Sequence, residues 1–126
     1  MFDDRSPIYR QIADGITADI LRGTLKGDER LMSTNQYAAF YRINPATAAK
    51  AFQQLADAGV IYKKRGVGMF VSPDAQGQLR AEHRRRFFAD VVDPMVEQAS
   101  AIGIPLDQVI ARIHEHAAAR ETEGTP

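Results

Sequence analysis

Thr47, Lys50 and Gln54 are spaced i, i+3, i+7, so on a helix they form one row. Each type can read a base edge: lysine donates to guanine, glutamine pairs with adenine, and a threonine methyl touches the methyl of thymine. Ala46 and Gln53 lie on the same face. Further along comes Lys63-Lys64-Arg65-Gly66-Val67-Gly68, a basic run with two glycines. Its charges suit phosphate or a minor groove, and its glycines let backbone approach the sugar-phosphate closely. The chemistry on offer is recognition of duplex nucleic acid.

Bond-making chemistry finds less support. The sequence has no Gly-x-Ser-x-Gly, no Walker loop and no Gly-x-Gly-x-x-Gly, and Gly66-Val67-Gly68 is too short to count. Cysteine is absent, which removes thiolate zinc sites and cysteine nucleophiles. Of the three histidines, His83, His114 and His116, the last two are two apart and point away from each other on a helix. The expectation is a protein that is not an enzyme, with no cofactor and no metal.

The formal net charge of zero conceals an uneven distribution. Residues 1–72 carry ten Lys/Arg against seven Asp/Glu, and residues 73–126 carry six against nine. A basic centre is followed by an acidic tail, which fits a neutral protein that still meets DNA. Arg80 and Arg84-Arg85-Arg86 form the densest basic cluster. It reads first as a solvated helix face, with phosphate contact as the alternative. No stretch approaches 18 apolar residues, so no membrane partner is expected. The N-terminus lacks the layout of a secretory signal, and with the missing cysteine this points to the cytoplasm.

The elements that must position the recognition row are well marked. Ser6-Pro7 opens a first helix, with Ile8, Ile12, Ile16 and Ile20 on one face and Gly23 as its stop. A polar connector follows, pinned by Leu25 and Leu31. Ser33 and Gln36 make a capping box for a second helix carrying Tyr37, Ala38, Phe40 and Tyr41. Asn44-Pro45 starts a third, with Ala48, Ala51, Phe52 and Leu55 inward and Gly59 at its end. The β-prone runs Val60–Lys63 and Met69–Val71 then read as a hairpin. Two short helices, a tight turn and a two-stranded wing make a winged helix-turn-helix. Its expected core is Ile12, Ile16, Ile20, Phe40, Phe52, Leu55 and Phe70.

Ser72-Pro73-Asp74-Ala75-Gln76-Gly77 is a composition break. It sets the expected division: residues 1–72 a DNA-binding domain, residues 73–126 a helical dimerisation region. The fold class is mainly α with a small β-hairpin. In the tail, Phe88, Val91, Val92, Met95, Val96 and Ala99 form a stripe that Pro94 should kink, and Leu106, Val109, Ile110, Ile113 and Ala117 form a second. Such stripes suit pairing with a second copy, and a two-fold protein matches a palindromic site. The dimer set is Phe88, Val92, Met95, Val96, Ala99, Leu106, Val109, Ile110 and Ile113. A tail this small leaves little room for a drug-sized pocket, so any small-molecule effector, whose identity the sequence leaves open, is expected between subunits.

Together, Ser6–Ile12, Ile20–Leu25, Ile43–Leu55, Gly59–Ile61 and Arg65–Val71 resemble the N-terminal domain of GntR-family transcription regulators. The Asn44-Pro45-Ala46-Thr47 start and short two-helix tail are similar to the YtrA subfamily. The resemblance implies a homodimeric repressor in which Ser33, Thr47, Lys50, Lys64, Arg65, Gly66 and Gly68 contact double-stranded DNA. Asn35, Asn44, Ala46 and Gln54 complete the candidate set. Asn35 stands where many members carry arginine. The rival reading is a winged-helix module that binds protein without specific DNA recognition.

Overall fold

The computed structural model describes residues 2–123. The chain divides into two compact units, Met1–Glu82 and His83–Pro126.

In the first unit, α1 spans Ile8–Arg22 and buries Ile12, Ala13, Ile16 and Ile20. Its N-cap is Pro7, one residue later than the expected Ser6. The Pro7 carbonyl accepts from the amides of Arg10 and Gln11. The Ser6 carbonyl instead accepts from Gln11 Nε2 at 2.7 Å. Gly23 ends α1 at φ +82°, a conformation that costs glycine little.

Helix α2 spans Thr34–Tyr41. Ser33 Oγ accepts from the Gln36 amide and Gln36 Oε1 accepts from the Ser33 amide, both at 3.0 Å, completing the capping box. Arg42 turns the chain at φ +55°. Helix α3 spans Pro45–Asp57, with Asn44 Oδ1 accepting from the Ala46 amide at 2.8 Å and Ala48, Ala51, Phe52 and Leu55 buried. Both α1 and α2 pack on α3.

Strands β1 (Ile61–Lys64) and β2 (Gly68–Val71) pair antiparallel, with Ile61 opposite Val71 and Lys64 opposite Gly68. The connector, read from sequence as polar and pinned by Leu25 and Leu31, also lies along the sheet. Arg30 bridges Phe70, the Leu31 amide donates to Met69 O at 2.8 Å, and the Val71 amide donates to Glu29 O at 2.9 Å. The 28–31 segment thus covers the free edge of β2. Gly27 permits the crossing below it, since a Cβ there would lie 2.6 Å from Pro73 O. The core comes from α1, α3, Leu31, Val60, Ile61 and Val71.

The expected core changes at two residues. Phe40 is 69% exposed rather than in the core. On a helix it sits about 200° from Ala38, the one α2 residue that is buried. Phe70 is half-buried. The compact unit also runs ten residues beyond Ser72. Helix α4 (Ala75–Phe87) begins where a linker was expected, and Ala75 and Leu79 are buried in the core of the first unit. Gln76 Nε2 and Arg80 Nη2 both donate to the Leu21 carbonyl, at 3.3 and 3.1 Å, answering a backbone acceptor at the end of α1.

The second unit carries a π-helical turn, Phe88–Val92, then α5 (Asp93–Ala101) and α6 (Leu106–Glu123). Pro94 stands in the first turn of α5. Lacking an N–H and clashing with the carbonyl four residues back, it disfavours ordinary α pairing there, and the wider turn before it accommodates the break. Gly103, at φ +77°, starts the connection to α6. Among the described residues no helix is long and apolar enough to cross a membrane.

Candidate nucleic-acid interface

The recognition row stands on a helix fixed at both ends, by Asn44 before it and by Gly59 after it at φ +77°. Ala46, Lys50 and Gln54 are exposed and Thr47 is half-buried. Gln53 Nε2 donates to Asp57 Oδ1 at 2.8 Å, which ties it along the helix and leaves Gln54 as the exposed amide of the row. Lys50 has a contact the sequence did not disclose. Its Nζ lies 4.1 Å from the centroid of the Tyr9 ring, at the start of α1. A cation over an aromatic face gains about 0.5–1 kcal/mol at an exposed site. That is enough to restrain the lysine and little enough for DNA to displace it.

Ser33 and Asn44 spend their side-chain oxygens as helix caps. Asn35 is exposed in the first turn of α2. Ser33 and Asn35 stand at the N-terminus of α2 and Asn44 at that of α3, positions where backbone N–H groups and the helix dipole favour an anion such as phosphate.

The wing is braced from two sides. At its tip the Val67 amide donates to Lys64 O at 2.9 Å, and Gly66 takes φ +78° at the third position of the turn. Arg30 Nη2 donates to Val67 O at 2.8 Å. Gly68, at φ +147°, leaves room for that guanidinium, since a Cβ there would lie 3.2 Å from Arg30 Nε. Across the hairpin, Tyr62 stacks on Phe70 with centroids 5.8 Å apart, and Lys64 Nζ sits 4.9 Å over the Phe70 ring. The Tyr62 hydroxyl donates to Asp28 Oδ1 at 2.7 Å, a bond that raises the Tyr62 pKa. Lys63, Lys64, Arg65 and Gly66 are exposed. A basic tip held in one shape loses less conformational freedom on meeting a phosphate.

Sequence reading missed Arg30, Tyr9 and Asp28. Arg30 and Asp28 lay in a segment with no strand period, and the reading of α1 rested on its isoleucines, not on Tyr9. Among the described residues no hydrogen bond or ring contact joins the α3 row to the wing; each is positioned separately.

In the second unit, Ala99 is buried and Val92, Met95 and Val109 are half-buried. Phe88, Val96, Leu106, Ile110 and Ile113 are exposed, as are Phe87, Val91, Ile102 and Ile104, which the dimer set omitted. No group of three His, Cys, Asp or Glu among the described residues is placed to hold a metal.

Comparison with known proteins agrees with this geometry. The profile described as "Bacterial regulatory proteins, gntR family" matches residues 8–71. The HTH-type transcriptional repressor YtrA of Bacillus subtilis (strain 168) is 30% identical over 115 residues, covering 90% of this chain and 88% of its own. A GntR family transcriptional regulator from Listeria monocytogenes superimposes with TM-score 0.73 at 28% identity, over 90% of this chain and 98% of that one. The DNA-binding domain of AraR, solved in complex with operator ORX1, matches 57% of this chain and 93% of its own, with TM-score 0.53 and 25% identity. With a winged helix-turn-helix whose capped helices and hairpin lie within the matched span, the chain belongs to the gntR family of bacterial transcriptional regulators.

Proposed function

We propose that the protein is a cytoplasmic, non-enzymatic repressor that binds a palindromic operator as a homodimer, with α3 in the major groove and the wing on the flanking backbone. The observation that carries this reading is the exposed Lys50/Gln54 row on a capped helix, followed directly by a braced basic wing. The apolar side chains exposed in the second unit support the pairing of two copies. The AraR complex supports the nucleic-acid partner, because a domain of the same fold is seen there on operator DNA.

A gel shift with the gene's own upstream region against scrambled duplex tests it. The upstream duplex binds selectively, and affinity falls at least about tenfold between roughly 50 and 200 mM salt as phosphate contacts release counterions. Equal binding to both duplexes overturns the specificity.

Single substitutions separate the roles. Lys50→Ala weakens the upstream duplex by about 1–3 kcal/mol and leaves scrambled DNA almost unchanged, as expected for a base contact. Arg65→Ala weakens both duplexes by similar factors, as a phosphate contact does. An equal loss on both duplexes for Lys50→Ala removes it from base readout.

A further inference from the structure

We propose that the cleft between α1 and α2 binds a hydrophobic organic cation, a compact aromatic or apolar body carrying one positive charge. The cleft, open to solvent on one side, offers about 880 Å³ within the first unit. That is ample for a small organic molecule, whose sites run from about 300 to 1,000 Å³. It lies within one chain and within the DNA-binding unit, not between subunits as the sequence led us to expect of an effector.

One wall is aromatic. Tyr37 lies 4.5 Å from Tyr41 and 5.6 Å from Phe52 between ring centroids, and Phe2 meets Tyr41 edge-on at 6.2 Å. The opposite wall is α1, which presents Asp14, Gly15 and Asp19. Gly15 is mid-helix, where glycine is disfavoured relative to alanine. Packing does not require it, because a Cβ there would meet nothing within 4 Å. Its effect is to leave bare backbone facing the cleft, which widens it.

The lining carries three aspartates, Asp3, Asp14 and Asp19, and three arginines, Arg5, Arg22 and Arg30, so the sign of the occupant turns on which charges are the more enclosed. Asp19 pairs with Arg22, but the arginine is 65% exposed against 38% for the carboxylate, so the negative end is the more enclosed. Asp3 and Arg5 repeat this arrangement at the mouth. Asp14 has no ion pair among the described residues. Burial, then the neighbouring Tyr41 and Asp19, push the Tyr37 hydroxyl up to about 12, so it stays a neutral donor on the aromatic wall. Ring faces and carboxylates together favour a poorly hydrated cation.

Occupancy would bear on DNA binding, a consequence that rests on the function proposed above. Tyr37 and Phe52 join α2 to α3, and Arg30, which holds the wing tip, also lines the cleft. An occupant wedged there biases both elements.

Tetraphenylphosphonium and tetraphenylborate share a shape and differ in sign, so calorimetric titration of the full chain without DNA tests the site. The phosphonium binds saturably and at least about tenfold tighter than the borate, in line with one cation over rings and carboxylates. Asp14→Asn weakens it at least fivefold, by removal of one charge. Gly15→Leu fills the cleft and abolishes binding while the melting temperature holds or rises. Absence of saturable phosphonium binding, equal affinity for the two ions, or indifference to both substitutions overturns the proposal. A second arm measures upstream-duplex affinity with saturating phosphonium. Binding of the ion without any change in DNA affinity retains the site and removes its coupling to DNA. Failure of the wild-type chain to select the upstream duplex removes the repressor reading alone.

Discussion

Ile110→Asp yields a folded monomer whose affinity for a two-half-site operator is lower by about two to four orders of magnitude, the range over which linked binding sites lose avidity. The single chain exposes half of Ile110, so the substitution costs the isolated fold little. In the proposed dimer the same change buries two carboxylates without partners, at several kcal/mol each. The monomer still meets each half-site through α3 and the wing, so binding to a single half-site stays near the wild-type value. Sedimentation velocity and a titration on full and half operators check both statements. A variant that sediments as a dimer moves the interface away from α6.

A fragment ending at Ser72 is far less stable than one ending at Glu82. The first lacks Leu79, whose burial is worth about 2 kcal/mol. It also lacks Ala75, fully buried, and leaves the Leu21 carbonyl without Gln76 and Arg80. The combined loss of roughly 3–4 kcal/mol is a large share of the 5–15 kcal/mol that holds a typical domain together. Urea unfolding of the two fragments shows it as a lower midpoint for the shorter chain. Equal midpoints would place α4 outside the folding unit.

Ser33-Gln36, Asn44-Pro45 and Gly23 announced the helix ends because capping is local chemistry, readable from residues a turn apart. The hairpin was legible for the same reason. The Lys50/Gln54 row followed from helical period alone, and the structure leaves both side chains exposed. What sequence concealed depends on contacts between distant segments. Nothing near Arg30 indicates Val67, and nothing near Tyr9 indicates Lys50. Helix α4 has only two buried apolar residues, Ala75 and Leu79, too sparse for a periodic stripe, so the Ser-Pro-Asp break before it dominated the reading. Phe40 misled because eight residues of α2 give little period from which to tell one face from another.

The sheet that carries the wing is closed on one side by the 28–31 segment, while among the described residues no strand pairs with the outer edge of β1. Open strand edges recruit other chains and seed aggregation, and lysine is a common guard against it. Lys63 and Lys64 occupy that edge and are exposed. The lysines proposed to meet phosphate therefore also stand where such a guard against strand addition is needed. Stripping both lysines to alanine confounds two losses, whereas replacing them with glutamate separates them: phosphate attraction disappears, yet the charged edge still resists self-association and the protein stays in solution.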